Sequence, residues 1–242
     1  MLATSKGSRE VREVLMHRFG LDQPLHVQYF LWLYNTFTGN LGISVNGLPV
    51  VDVIAPRISY TIELMLVSQI ISVVLAIMLG ALAGYKHDST LDRALSLFAL
   101  VGYSIPNFWL GLVFILVFAV ALGWFPVGSF AMGIELARIS DWSSVLLHLE
   151  YLMLPTAVLV IEFTPYYFRL LRTSMIEVTK ADYIITAKSK GLKELTIIYK
   201  HALKNALIPM VTAVGTSLGL IFGGSYVVEV VFAWPGLGSL LV

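Results

Sequence analysis

Three stretches of this chain contain no Asp, Glu, Lys or Arg: residues 64–85, 94–133 and 205–228. A helix needs about 20 consecutive apolar residues to cross about 30 Å of hydrocarbon. A soluble helix of that length would need a polar face, and these runs have none. Helices also satisfy their own backbone hydrogen bonds where no water is present. A membrane β-barrel is disfavoured, because its strands alternate in polarity and these runs are continuous. The composition agrees: 13% of the residues are charged, against about 25% in a soluble domain. The expected architecture is therefore an all-α polytopic membrane protein.

Four crossings are expected, at residues 61–85, 95–124, 151–171 and 206–228. Their orientation follows from Lys and Arg in the short connections. Residues 86–93 hold Lys86 and Arg93, and residues 125–150 hold only Arg138. Residues 169–204 hold Arg169, Arg172, Lys180, Lys188, Lys190, Lys193, Lys200 and Lys204. This places 86–93 and 169–204 in the cytoplasm and 125–150 outside. Residues 1–60 then form an external segment, and residues 61–242 a membrane domain with a cytoplasmic loop at 173–204. An external N-terminal segment predicts a further membrane helix before Met1. The apolar run Ser239-Leu240-Leu241-Val242 predicts another after it. The aromatic-rich segment Leu25–Phe37 is expected at the membrane surface.

Several chemistries find no support. The net charge of +1 gives no nucleic-acid signal, and with no cysteine there is neither a disulfide nor a thiol nucleophile. Residues 1–20 are charged throughout, unlike a signal peptide. No GxxxxGK[ST] motif is present to bind ATP. His17, His26, His87, His148 and His201 are scattered along the sequence, and no carboxylate pair or Ser/His/Asp set stands out. No bound cofactor is expected.

Polar residues within the crossings need a reason, because they are expensive in a bilayer. Glu162 lies three residues before Pro165. It either faces a solute path, where it could attract an amino group, or pairs with a neighbouring helix. Ser104, Pro106 and Asn107 either break the second crossing near such a path or serve helix packing. Glu229 is assigned to an external vestibule.

The most informative stretch is residues 177–209, EVTKADYIITAKSKGLKELTIIYKHALKNALIP. Val178, Ala181, Ile185 and Lys188 fall at helical spacing. Lys188 and Lys190 then precede Gly191, a normal helix stop. Leu195, Ile198, Tyr199, Ala202 and Ala206 form one apolar stripe of a second helix, and Pro209 opens the fourth crossing. The spacing predicts a helix–Gly–helix elbow at the inner membrane surface. Two readings are open at this level: a basic anchor on anionic lipid, or a docking element.

The elbow resembles the conserved EAA loop of ABC importer permeases. It is closer to the dipeptide/oligopeptide branch, whose pattern is approximately DYxxTAxxKGL…HALxNALxP. Asp182-Tyr183, Thr186-Ala187, Lys190-Gly191-Leu192, His201-Ala202-Leu203, Asn205-Ala206-Leu207 and Pro209 match it. Ile185 and Thr186 depart from the general EAA form, where Glu and Ala would stand; the change at Thr186 is shared with the peptide branch. Further matches are Gly20-Leu21-Asp22-Gln23-Pro24-Leu25, Gly102-Tyr103-Ser104-Ile105-Pro106-Asn107-Phe108-Trp109-Leu110-Gly111, and Trp234-Pro235-Gly236-Leu237-Gly238. The resemblance covers nearly the whole chain.

The resemblance implies a type I ABC importer transmembrane domain, with about four to five of six helices present here, in the cytoplasmic (inner) membrane of a prokaryote. It implies separate ATPase subunits that bind ATP and Mg, a second homologous permease and an extracytoplasmic substrate-binding protein. ATPase coupling would fall to Asp182, Tyr183, Thr186, Ala187, Lys190, Gly191, Leu192 and His201. Independently of the resemblance, the cost of polar groups in a bilayer makes Glu162, Ser104 and Asn107 the candidates to line the translocation path. The implied cargo is a di- or oligopeptide, with oligosaccharides or nickel as alternatives within the branch. A secondary transporter would be expected to show inverted repeats, and the sequence shows none.

Overall fold

The computed structural model describes residues 16, 22–44, 47–126, 142–220 and 226–241, in two compact units, Met1–Pro56 and Arg57–Val242. In the first unit, α1 (Leu25–Phe37) begins after Pro24, whose fixed φ suits entry to a helix. It ends where the Thr38 hydroxyl donates to the Tyr34 carbonyl at 2.9 Å. No residue of α1 is buried, and Leu25 and Phe37 are each 83% exposed. An isolated antiparallel bridge joins Ile43 to Pro49.

The long helix α2 (Val50–Tyr85) starts in the first unit and continues into the second. Its buried positions beyond Gln69 are all small: Ser72, Ala76, Gly80, Ala81, Ala83 and Gly84. Small faces let membrane helices approach closely. A Cβ on Gly84 would lie 2.5 Å from Met175 Cβ and 2.6 Å from the Arg172 carbonyl oxygen. The partner helix there is α5 (Trp142–Val178), which extends the expected crossing 151–171 at both ends. Pro155 and Pro165 lie inside α5 without ending it, because neighbouring helices and local adjustments re-satisfy the backbone groups that a proline frees.

The expected crossing 95–124 is not one straight helix. α3 (Thr90–Ser104) stops at Ile105, and α4 (Asn107–Phe114) starts after Pro106 and widens into a π-helical stretch, Ile115–Ala121. The two segments meet at 96°. The residue before a proline is pushed out of the helical region, and Ile105 has an extended ψ of 125°.

Val178 ends α5, and the short helix of the elbow, α6 (Asp182–Ser189), begins only after Ala181. It therefore excludes Val178 and Ala181, contrary to the helical spacing read from sequence. α7 opens as Glu194–Thr196, passes through a π-helical stretch Ile197–Ala202, and continues as Leu203–Leu220 with Pro209 inside it. Pro209 thus does not open a crossing. Residues 221–225 of the expected crossing 206–228 lie outside the described residues. α8 (Tyr226–Val231) and a 3-10 turn (Gly238–Leu241) follow.

Among the described residues, α2 and residues 145–178 of α5 are long and apolar enough to cross a membrane, and the bent α3–α4 pair makes a third if it is one span. Two apolar cores hold the second unit together. One, at the basic end, includes Leu171, Met175, Ile184, Ile198 and Met210. The other, at the opposite end, includes Leu64, Leu159, Val228 and Trp234. Phe98, Leu112 and Ile208 are more than half exposed, as hydrocarbon rather than water would allow.

Candidate functional site: a basic elbow and a polar kink

α6 is an amphipathic element seated on the basic end. Ile184 is fully buried and Ala187 nearly so, both within the core that holds Leu171 and Ile198. The opposite side exposes Tyr183, Ile185, Thr186 and Lys190. Asp182 stands in the first turn and Lys188 in the last, each complementing the helix dipole. Gly191 follows with φ +73°, a left-handed conformation that costs a side chain-bearing residue about 1–2 kcal/mol. The Leu192 amide reaches back to the Ala187 carbonyl at 3.5 Å, closing the helix as C-terminal glycine motifs do.

The elbow is tied down at three points. Asn205 Nδ2 donates to the Tyr183 hydroxyl at 2.8 Å. Lys188 Nζ lies 5.2 Å from the centre of the Tyr85 ring. Lys86 Nζ lies 3.6 Å from Glu194 Oε2. Of the residues proposed from sequence, Asp182, Tyr183, Thr186, Lys190, Gly191 and Leu192 are exposed at the elbow, and His201 is half-buried on the π-helical stretch of α7. Ala187 faces inward and has no surface for a partner. Leu195 does not belong to a buried stripe with Ile198, Ala202 and Ala206: it is 65% exposed, and Tyr199 is 42% exposed. Ile185, Leu195 and Tyr199 are exposed apolar side chains that sequence spacing concealed by assigning them to inward stripes. The doublets Ile184-Ile185 and Ile197-Ile198 left the inward side open to either reading.

Within the bundle, the polar residues flagged from sequence partly converge. Asn107, at the first position of α4, donates from Nδ2 to Glu162 Oε2 at 3.2 Å, and both side chains are half-buried. The kink between α3 and α4 thus carries a carboxyl group against it. Ser104 does not join this pair; its hydroxyl donates to Leu100 O at 2.8 Å within α3. Sequence reasoning missed a second polar cluster. Gln69 donates to the Tyr167 hydroxyl and to Ser217 Oγ, and Tyr167 donates to Ser217 at 2.8 Å, linking α2, α5 and α7. Among the described residues no three His, Asp or Glu side chains converge as metal ligands.

Glu229 is not part of an open vestibule. It is fully buried and caged. Its carboxyl accepts from Thr61 Oγ1 at 2.7 Å, the Gly238 amide at 2.6 Å and the Ser239 amide at 3.3 Å. A Cβ on Gly236 would collide with that carboxyl, and one on Gly238 would lie 2.8 Å from it. Gly236 is therefore glycine because the carboxyl occupies its side-chain space, and at Gly238 the Tyr226 backbone, 2.6 Å from such a Cβ, excludes a side chain together with the carboxyl. Trp234 Nε1 donates to Tyr60 O at 3.0 Å. His148 Nε2, remote in sequence, lies 2.6 Å from Glu63 Oε1 at this same end.

Comparison with known proteins places the chain in a family. Residues 76–242 match the family described as binding-protein-dependent transport system inner membrane component. The oligopeptide transport system permease protein AppB of Bacillus subtilis is 38% identical over 244 residues, covering 100% of this chain and 75% of that protein. A probable peptide ABC transporter permease protein of Sinorhizobium fredii is 36% identical over 241 residues, covering 99% of this chain and 73% of that protein. A multi-pass helical membrane protein is what such a match predicts. This chain belongs to the family of binding-protein-dependent transport system inner membrane components.

Proposed function

We propose that this chain is the membrane-spanning permease subunit of an ATP-driven importer, that its cargo is a di- or oligopeptide, and that the elbow from Asp182 to Leu195 is the seat of a separate ATPase subunit. The observation that carries this reading is the form of α6. A helix anchored by buried Ile184 presents exposed Ile185 and Lys190 and stops at a left-handed Gly191. A plain lipid anchor needs no turn of defined hand. A rigid element that touches both a partner and the bundle is what coupling between sites requires. The peptide assignment rests on the names of the relatives. ATP and Mg would reside on the ATPase, and a second homologous permease and an extracytoplasmic binding protein would complete the transporter in the cytoplasmic membrane of a prokaryote. Residues 1–60 would lie on the outer side. The Asn107–Glu162 pair at the kink would face the path and meet the cargo's amino group.

The test is co-purification. The permease is expressed with the products of its neighbouring genes, solubilised in detergent and assayed for bound ATPase. Wild type is expected to retain an ATPase. Gly191→Val, a β-branched residue forced to positive φ, is expected to insert normally and lose the ATPase. A well-folded wild type that carries no ATPase overturns the proposal.

A further inference from the structure

Asp92 is the most buried charged partner at the basic end. Its side chain is 2% exposed, yet it lies only two residues into α3. Four donors saturate it. Arg172 supplies Nε at 2.5 Å and Nη2 at 2.6 Å, a two-pronged fork. The Asp88 amide adds a bond at 2.9 Å and the Ser96 hydroxyl one at 3.4 Å. Ser89 caps the same helix by accepting from the Asp92 amide at 3.2 Å. Asp88 itself sits at φ +63°, the left-handed region that Asp adopts more readily than most residues.

A need for stability does not explain this arrangement. The Asp92 carboxylate is almost wholly removed from water and Arg172 about three-quarters so, and a buried ion pair is often no more stable than apolar residues of the same size. What the fork adds is a fixed relative orientation. Its position shows what is being oriented. Arg172 stands in the last turns of α5, which leads directly into α6. The loop held by Asp92 begins with Lys86, which meets Glu194, and follows Tyr85, which lies under Lys188. Both flanks of the elbow are thus tied to elements that converge on one carboxylate. Along the rest of its length α3 lies on α5. The Arg169 guanidinium is 4.8 Å from the Tyr103 ring centre, a Cβ on Gly102 would lie 3.5 Å from the Ile161 carbonyl oxygen, and Asn107 meets Glu162 beyond the break.

We infer that Asp92 and Arg172 are positioning residues for energy coupling: their fork locks α3 to α5 at the elbow, so that displacement of α6 by an ATPase moves the kinked α3–α4 helix and its Asn107–Glu162 pair. This rests on the permease reading above.

The test uses the whole transporter, reconstituted in proteoliposomes with its ATPase, partner permease and binding protein. Uptake of a labelled peptide mixture is measured per ATP hydrolysed. Asp92→Asn alone leaves the Arg172 guanidinium, 27% exposed, without its carboxylate, and is expected to weaken assembly. The double variant Asp92→Asn/Arg172→Gln removes both charges and is expected to assemble and hydrolyse ATP. Its uptake per ATP is expected to fall about tenfold, within the range of ordinary coupling energies. Arg172→Lys keeps the charge but loses the fork, and is expected to fall by a smaller factor in the same direction. Wild-type uptake per ATP in the double variant overturns the inference. If the double variant fails to assemble, Arg172→Lys decides: wild-type uptake per ATP there also overturns it. A wild-type complex without ATPase or uptake would instead overturn the permease reading, so the two failures are distinguishable.

Discussion

Replacing Glu229 with Ala tests the cage at the end of the bundle opposite the elbow. The Gly238 amide and the Thr61 hydroxyl lose their acceptor, and both residues are buried. The Ser239 amide, at 3.3 Å, loses a weaker bond. A buried donor left without a partner costs about 1–3 kcal/mol, so the two close donors alone give about 2–6 kcal/mol. Glu229→Gln keeps one oxygen for the Gly238 amide and turns an NH2 group toward Thr61, which already accepts from the Leu237 amide at 2.8 Å. Thr61 can accept a second bond but loses the acceptor for its own proton, a net loss of about 1 kcal/mol. The assay is reversible unfolding in mixed micelles, followed by tryptophan emission, which responds when Trp234, only 1% exposed, becomes wet. The expected order of stability is wild type, then Gln, then Ala. An Ala variant within about 1 kcal/mol of wild type, or a Gln variant as damaged as Ala, refutes the count of hydrogen bonds.

Two further outcomes follow from contacts elsewhere. Gly84→Ala places a methyl 2.5 Å from Met175 Cβ and 2.6 Å from a backbone oxygen; α2 and α5 must separate by roughly 1 Å, at an expected cost of about 1–3 kcal/mol, and an unchanged unfolding midpoint would show that the crossing is not tight. Glu162→Gln retains an oxygen to accept from Asn107, so assembly is expected to be unchanged while peptide uptake falls about tenfold for each 1.36 kcal/mol of lost attraction to a cargo amino group; normal uptake of every peptide tried would remove Glu162 from the path.

The sequence revealed spans better than interruptions. Charge-free runs located the long helices, because burial in lipid leaves a compositional mark on every residue of a span. The kink at Ile105 was visible only as Pro106 and Asn107, since whether a proline breaks a helix depends on what its neighbours satisfy; Pro155, Pro165 and Pro209 left their helices intact. Gly191 was legible because positive φ at a helix stop is a local property. The burial of Ala187 and the exposure of Leu195 were not, because α6 and the start of α7 are short and apolar on more than one side, and only the packing of Ile184 and Ile197 decides the inward face. Glu229, Asp92 and His148 found partners 168, 80 and 85 residues away. No sequence period encodes such pairs; a lone carboxyl in an apolar run signals only that a partner exists.

The distribution of those pairs also limits how the bundle can move. α3 touches α5 at Asp92–Arg172, at Gly102 against Ile161, and across the break at Asn107–Glu162. A helix held to its neighbour at both ends and in the middle cannot slide along it without breaking a bidentate bond, so α3 and α5 shift together. The α2–α5 crossing differs in kind. Far from the elbow, Gln69–Tyr167 and Glu63–His148 tie the two helices. Near the elbow the crossing is made by Gly80, Gly84 and small side chains against α5, with no directional bond there among the described residues. Surfaces of that sort can rotate past one another at little cost, because dispersion contacts re-form in a new register whereas a forked ion pair does not. Displacement entering at α6 is therefore expected to appear as movement of the elbow ends of α3 and α5 relative to α2, taken up at the Gly84 crossing, while the Gln69–Tyr167 and Glu63–His148 ties hold the far end.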